Sequence, residues 1–98
     1  MTIEMKKTDA QTVIEVSGRL DTSTAPVLDK TINENIPEDA NLILELKELV
    51  YISSAGLRVL LSAQKRMRKL GSMKLRNVCE EVMEVFEMTG FADILEIE

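Results

Sequence analysis

The sequence contains no histidine and no tryptophan, and it has only one cysteine, Cys79. Without an imidazole the protein has no histidine general base, no histidine metal ligand and no phosphohistidine relay. One cysteine cannot form an internal disulfide or a multi-thiolate zinc site. We therefore expect no metal site and no cofactor, and the composition argues against an enzyme.

Long apolar runs and a surplus of positive charge are also missing. The longest uninterrupted apolar run, residues 49–52, is too short to span a membrane, and the first ten residues mix charges with isolated apolar positions, unlike a signal peptide. The net charge of −5 disfavours nucleic acid and anionic membranes as partners. We expect a cytoplasmic protein that binds neither.

The 98 residues are enough for one domain, over residues 1–98, and the hydrophobic content of 45% is enough for a core. The charges are unevenly placed. Residues 58–76 carry seven bases and no acid, whereas residues 77–98 carry seven acids and no base. The favoured interpretation is that these two blocks neutralise each other in the fold, and the alternative is a basic docking face for an acidic partner.

The first half of the sequence predicts a hairpin, a helix and a buried strand. Residues 2–6 and 12–17 alternate as strands do, and Gly18 interrupts the second. Hydroxyl residues and Pro26 predict a helix that starts near residues 23–25 and ends at Pro37. Its core stripe is Leu28, Thr31, Ile32 and Ile36. The apolar run at 42–46 is typical of a central strand that is covered on both faces.

The second half predicts two helices and a further strand. Residues 53–56 open a helix that ends at Gly71, and residues 73–77 form the next strand, which is therefore parallel to the one at 42–46. The core stripe of this helix is Gly56, Val59, Leu60, Ala63, Met67 and Leu70. A third helix covers 79–88 with Cys79 in the core, and a strand-like tail follows. The fold class is α/β, with alternating helices and strands around one mixed sheet of four or five strands.

Two adjacent serines, Ser53 and Ser54, lie at the start of the second helix, directly after a strand. Such positions collect functional groups, although a serine there also serves as an ordinary helix cap. A serine nucleophile needs a base, and the nearest lysine in sequence, Lys47, has no evident geometry for that role. The remaining function for such a serine is to be acted on by another protein.

Three segments resemble a known family. Residues 49–61, LVYISSAGLRVLL, resemble the signature loop and helix of the STAS domain, the fold of bacterial anti-sigma factor antagonists. Residues 18–25, GRLDTSTA, resemble its entry into the first helix, and residues 86–91, FEMTGF, resemble its third-helix exit. The three motifs occur in the family's order and cover nearly the whole chain. A standalone STAS domain of this length resembles most a phosphorylatable anti-sigma factor antagonist.

The resemblance implies a partner switch. Unphosphorylated, such a protein binds an anti-sigma factor that is itself a serine kinase, and this releases a sigma factor. The kinase then phosphorylates the antagonist on a serine, and a metal-dependent serine phosphatase reverses the modification. The protein would be a substrate and a switch and not an enzyme, present as a monomer or a weak dimer.

The resemblance also assigns residues. It places the acceptor at Ser54 and puts Ser53 where the family commonly has an aspartate, so Ser54 is favoured and Ser53 remains a rival. The predicted partner-binding residues are Asp21, Ser53, Ser54, Ala55, Gly56, Leu57 and Arg58. Asp21 is either a partner contact or a simple helix cap. Gly56 either admits a partner or packs the helix on the sheet. Arg58, where many relatives have glycine, either meets an acidic partner or lies in solvent.

An alternative function lacks phosphorylation. In it the chain is a STAS interaction or ligand-binding subunit of a transport or signalling complex, and the absent aspartate before Ser54 supports this. Family members often continue into a further helix beyond the point where this sequence stops. The domain is therefore either minimal or trimmed.

Overall fold

The structure, a computed structural model, describes residues 1–8, 11–35 and 41–98, without the side chain of Leu70. Eight regular elements and a short 3₁₀ helix follow one another as β1 (Thr2–Lys7), β2 (Thr12–Leu20), α1 (Ala25–Asn35), β3 (Asn41–Glu45), β4 (Leu49–Ile52), α2 (Ser54–Leu70), β5 (Ser72–Arg76), α3 (Glu80–Thr89) and the 3₁₀ helix Phe91–Asp93. The predicted α/β class is confirmed. The turn at 9–10 and the predicted helix end at 36–37 lie outside the described residues.

The sheet is mixed and has five strands. β1 pairs antiparallel with β2, as the predicted hairpin requires. β2, β3 and β5 then pair in parallel, which gives the order β1-β2-β3-β5 and confirms the central place of β3. β4 pairs in parallel with the end of β2, and Ile97 forms one parallel bridge to Leu75 of β5.

The helices cover the apolar side of this sheet. α1 packs against α2, α2 against β5, and α3 against β4. The largest fully buried side chains are Phe86, Ile14, Leu20, Leu28, Ile32, Leu42, Leu44, Leu46, Leu49, Leu60, Met67 and Met73. The other side of β1 and β2 carries several charged residues, and Lys6 Nζ lies 3.3 Å from Glu15 Oε1 there. One face of the sheet therefore builds the core.

β2 does not end at Gly18 as the sequence predicted, but runs on to Leu20. Gly18 has a φ of 90°, a conformation that side chains rarely tolerate, so the strand bends here without stopping. Its partner strand β4 was missed in the sequence because it has only four residues and no alternation. Gly18 lies opposite Leu49 and Arg19 opposite Tyr51, which leaves Val50 as an extra, unpaired residue. This bulge explains why Val50 is exposed within an apolar run.

Two further predictions need correction. Val59, which sequence analysis assigned to the core stripe of the second helix, is half-buried, whereas Leu57 is buried. Cys79 precedes α3 and does not form part of it: it is half-buried, and its thiol donates to the Leu49 carbonyl oxygen at 3.3 Å.

The two charge blocks neutralise each other far less than expected. Among the described residues, a single ion pair joins them, from Arg76 Nε to Glu98 Oε2 at 3.2 Å. Arg68 bonds to the carbonyl oxygen of Ile94 instead of to an acid. Lys65 and Lys69 remain exposed along α2.

Gln64, which sequence analysis did not assign to the core, lies fully buried in α2. Its side-chain nitrogen donates to the Met73 carbonyl oxygen at 3.3 Å, and its side-chain oxygen accepts from the Glu96 backbone N–H at 3.1 Å. One amide therefore ties α2 to β5 and to the C-terminal residues.

Replacing Gln64 with leucine should lower the free energy of unfolding by about 1–3 kcal/mol, because two interior backbone groups lose their partner. Urea unfolding measures this change. Lys65→Leu, on the exposed side of the same helix, should shift stability by less than about 0.5 kcal/mol. Equal stability of the Gln64→Leu variant and the wild type would contradict the structural role of the amide.

Candidate functional site

The candidate site forms where two parallel strands end side by side. β2 ends at Leu20 and β4 at Ile52, and these two residues are register partners. The Ser53 backbone N–H donates to the Leu20 carbonyl oxygen at 2.9 Å, which fixes the two strand ends together. Each strand leads into a helix, so the starts of α1 and α2 lie at the same edge of the sheet. This edge, beyond the carboxyl ends of parallel strands, is where α/β proteins place binding sites.

Ser53 is the N-cap of α2. Its backbone is extended, with φ −100° and ψ 176°, and its hydroxyl accepts from the Gly56 backbone N–H at 3.5 Å. Its carbonyl oxygen accepts the Leu57 N–H at 2.9 Å, the first bond of the helix. Ser53 is half-buried and its hydroxyl oxygen is engaged in the cap.

Ser54 differs from its neighbour in both respects. It is the first residue of α2 and it is exposed. Its hydroxyl makes no hydrogen bond within the described part of the chain, while its carbonyl oxygen accepts from Arg58 Nε at 3.4 Å. The first turn of α2 carries no acidic residue. A free hydroxyl at a helix start without negative charge is therefore presented to solvent.

The residues that follow turn toward the core. A Cβ at Gly56 would lie 2.8 Å from the Ile52 side chain and 2.9 Å from the Leu20 carbonyl oxygen. Only glycine lets α2 approach the strand ends this closely, so the structure supports close packing for Gly56 and not partner access. Leu57 is likewise buried, and Ala55 is half-buried. Direct partner contact by Gly56 or Leu57 stays a prediction, and the burial of both residues gives it no support.

Asp21 organises the loop before α1. Its carboxylate accepts from the Ser23 hydroxyl at 2.8 Å, and from the backbone N–H groups of Ser23 and Thr24 at 3.0 and 3.2 Å. These bonds, the Ser23 hydroxyl first among them, hold the pKa of the Asp21 carboxyl below its usual range. The simple capping role is thus present in the structure. The half-buried carboxylate also lies at the edge where Ser53 begins α2.

Sequence analysis missed a side-chain cluster at the same edge. The Arg19 guanidinium lies 4.0 Å from the centre of the Tyr51 ring, and Arg19 Nε lies 3.9 Å from Asp21 Oδ2. Tyr51 is 40% exposed and Val50 is 62% exposed, so β4 presents apolar surface just before the serines. The bulge at Val50, which depends on pairing with β2, is the cause, and the apolar run alone gave no signal for it.

An open groove of about 430 Å³ separates the starts of α1 and α2. Its lining comprises Thr22, Ala25, Pro26, Asp29, Ala55, Arg58 and Val59. Arg58 is exposed, as sequence analysis expected of that helix face. The groove therefore extends from Thr22, which follows Asp21, to Ala55, which follows Ser54, and it is open to a partner.

Over the described ranges, no group of three or more His, Cys, Asp or Glu side chains has the arrangement of a metal site. Within those same ranges, no helix combines the length and apolar character that a membrane crossing needs.

The STAS domain family matches residues 2–98. The chain belongs to the STAS domain family. Among similar proteins, the anti-sigma-B factor antagonist of Bacillus subtilis is 31% identical over 97% of this chain and 88% of its own length. The anti-sigma-B factor antagonist of Listeria monocytogenes is 33% identical over 99% of this chain and 88% of its own.

Solved STAS structures share the fold. The crystal structure of an anti-sigma factor antagonist from Mycobacterium paratuberculosis has a TM-score of 0.87 at 22% identity, covering 98% of this chain and 83% of that one. SpoIIAA, an anti-sigma factor antagonist whose structure is known in unphosphorylated and phosphorylated forms, matches with TM-scores of 0.74 and 0.72 at 17% identity. These matches cover 99% of this chain, with 88% of the unphosphorylated SpoIIAA chain and 91% of the phosphorylated one.

The hydrogen bonds of Asp21 lead to a testable prediction about the pKa of its carboxyl group in this STAS domain. Because the Ser23 hydroxyl is the main cause of the lowered pKa, Ser23→Ala should raise the pKa of Asp21 toward the ordinary value of an aspartate side chain. A carboxyl whose pKa is lowered by folding stabilises the fold above its unfolded pKa, and that contribution disappears as the pH falls through the folded pKa. Carbon-detected NMR titration of the side chain measures the shift.

Thr22→Ala is the matched control, since Thr22 is an exposed neighbour whose side chain makes no hydrogen bond to the carboxylate. This variant should titrate like the wild type. If Ser23→Ala left the pKa of Asp21 unchanged, the Ser23 hydroxyl would not be the main cause of the lowered pKa.

Proposed function

We propose that this STAS protein is an anti-sigma factor antagonist that is switched by phosphorylation of Ser54. Unphosphorylated, it binds an anti-sigma factor that is a serine kinase, and a sigma factor is released. Phosphorylation ends the association, and a metal-dependent serine phosphatase restores it. The names of its relatives in Bacillus and Listeria support a binding role and not a catalytic one.

The observation that carries the choice of acceptor is the difference between the two serines. Ser53 is half-buried and its hydroxyl oxygen accepts the Gly56 N–H, whereas Ser54 is exposed and its hydroxyl is unengaged within the described residues. A kinase must bring the acceptor oxygen to the γ-phosphate of ATP, so an exposed hydroxyl is the more accessible substrate. Modifying Ser53 would instead disrupt a helix cap worth about 1 kcal/mol.

The fold tolerates a phosphate at Ser54. The modification adds roughly −1.5 to −2 charges, and it does so in a first turn that has no acidic residue of its own. The helix dipole favours an anion there by about 0.3–1 kcal/mol. The structure of the domain therefore need not change, and the effect falls on the partner.

The cost arises at the partner surface. A contact that accepts a neutral hydroxyl must now desolvate a charged group, and breaking such complementarity costs several kcal/mol. A loss of about 3–4 kcal/mol lowers affinity by more than a hundredfold, which is enough to exchange one partner for another. This exchange would take place in the cytoplasm, where transcription occurs.

Phosphorylation is tested by incubating the full chain with the purified anti-sigma factor serine kinase of the same genome and ATP, and by mapping the phosphate with mass spectrometry. We expect phosphate on Ser54 in the wild type and in Ser53→Ala, and none in Ser54→Ala. Phosphate on Ser53 alone would reassign the acceptor, and no phosphate on either serine would contradict the switch.

Partner binding is tested with Ser54→Asp, which introduces a negative charge at the acceptor position. Its affinity for the kinase should fall at least about tenfold, equivalent to 1.4 kcal/mol. Ser62→Asp adds the same charge at another exposed position of α2 and should bind like the wild type. Isothermal calorimetry distinguishes the two, and equal affinity of Ser54→Asp and wild type would contradict the charge argument.

A further inference from the structure

We propose that Arg58 is a second component of the switch, forming an ion pair with phosphoserine at position 54 and so leaving the partner surface. This inference rests on the proposed function, because it concerns the phosphorylated form. Arg58 is a positioning residue in this proposal: it holds the phosphate against α2 and performs no chemistry.

The first support is helical geometry. Ser54 and Arg58 are four residues apart in α2, and residues at this spacing are neighbours on a helix surface, with Cβ atoms about 5–6 Å apart. Long side chains on a helix lean back toward its N-terminus. Arg58 does so here, since its Nε donates to the Ser54 carbonyl oxygen at 3.4 Å.

The second support is that the Arg58 charge is uncommitted. Arg58 is exposed, and no carboxylate of the described residues lies within ion-pair distance of it. Asp29 of α1 lines the same groove without forming that pair. The other cation of this edge, Arg19, already lies against Tyr51 and near Asp21. A phosphate on Ser54 therefore meets one available guanidinium.

The chemistry of the pair is favourable. Guanidinium and phosphate form charge-assisted, often bidentate hydrogen bonds, which are stronger than neutral ones. The bond to the Ser54 carbonyl oxygen is long and weak by comparison, and it already holds the guanidinium beside Ser54.

An ion pair between Arg58 and the phosphate would give phosphorylation a second effect on the contact surface. Before modification, the groove carries an unpaired positive charge from Arg58 that an acidic group of the partner can meet. After modification, the same guanidinium is neutralised by the phosphate on its own chain. One covalent event would then both add negative charge and withdraw a cation from the contact surface.

The test uses full-length protein with phosphoserine installed at position 54 by genetic-code expansion, so it does not depend on any kinase. Phosphorus NMR titration measures the second phosphate pKa, which is about 6 for free phosphoserine. We expect this pKa to be about 0.3 unit lower with Arg58 present than in Arg58→Gln, the shift typical of an exposed helix pair at this spacing. In nitrogen-correlated spectra, the Arg58 Nε–H signal should move with the same pKa.

Lys65→Gln removes one charge farther along the exposed side of α2 and is the matched control. It should titrate like the wild type, and Arg58→Lys should recover part of the shift. An identical phosphate pKa in the wild type and in Arg58→Gln would overturn the proposal. So would a rise of the phosphate pKa in Lys65→Gln as large as that in Arg58→Gln, because it would show only the general field of the basic residues. A shift in this experiment without phosphorylation in the kinase assay would retain the pair and reject the proposed function.

Discussion

The close approach of α2 to the strand ends is the constraint on which the site depends. Gly56 lies so near Leu20 and Ile52 that any Cβ would overlap them. The hydrogen bond from the Ser53 N–H to the Leu20 carbonyl oxygen also holds the start of α2 close to the end of β2. Together they fix the rotation of α2 about its axis, with Gly56 and Leu57 toward the core.

That rotation determines what the helix start presents. Ser54 and Arg58 are four residues apart, close to one helical turn of 3.6 residues, so both lie on the exposed side when Gly56 and Leu57 are buried. The groove toward α1 then contains Arg58, while Ala55 forms part of its wall. The surface proposed to meet a partner is thus a direct consequence of packing on the opposite side of the same turn.

Some polar groups of the two loops cap the helix starts, whereas the Ser54 hydroxyl is free for modification. Asp21 and Ser53 satisfy backbone N–H groups at the starts of α1 and α2. Ser54 follows Ser53 by one residue, and its hydroxyl is left out of that network within the described chain. A modification there adds charge without removing a bond that the fold needs. This separation is what would let phosphorylation alter binding while the domain stays folded.

The fold class, the hairpin, the three helices and the position of the serine loop were predictable from the sequence, because these depend on local periodicity, caps and glycines such as Gly71. The sequence also indicated the family through short contiguous motifs. It did not reveal β4, the bulge at Val50 or the buried amide of Gln64. Each of these depends on a partner distant in sequence: β2 for the strand and bulge, and Met73 and Glu96 for the amide. Only the tertiary structure shows that Ser54 and Arg58 face solvent while Gly56 and Leu57 face the core, since this follows from how α2 packs on the sheet.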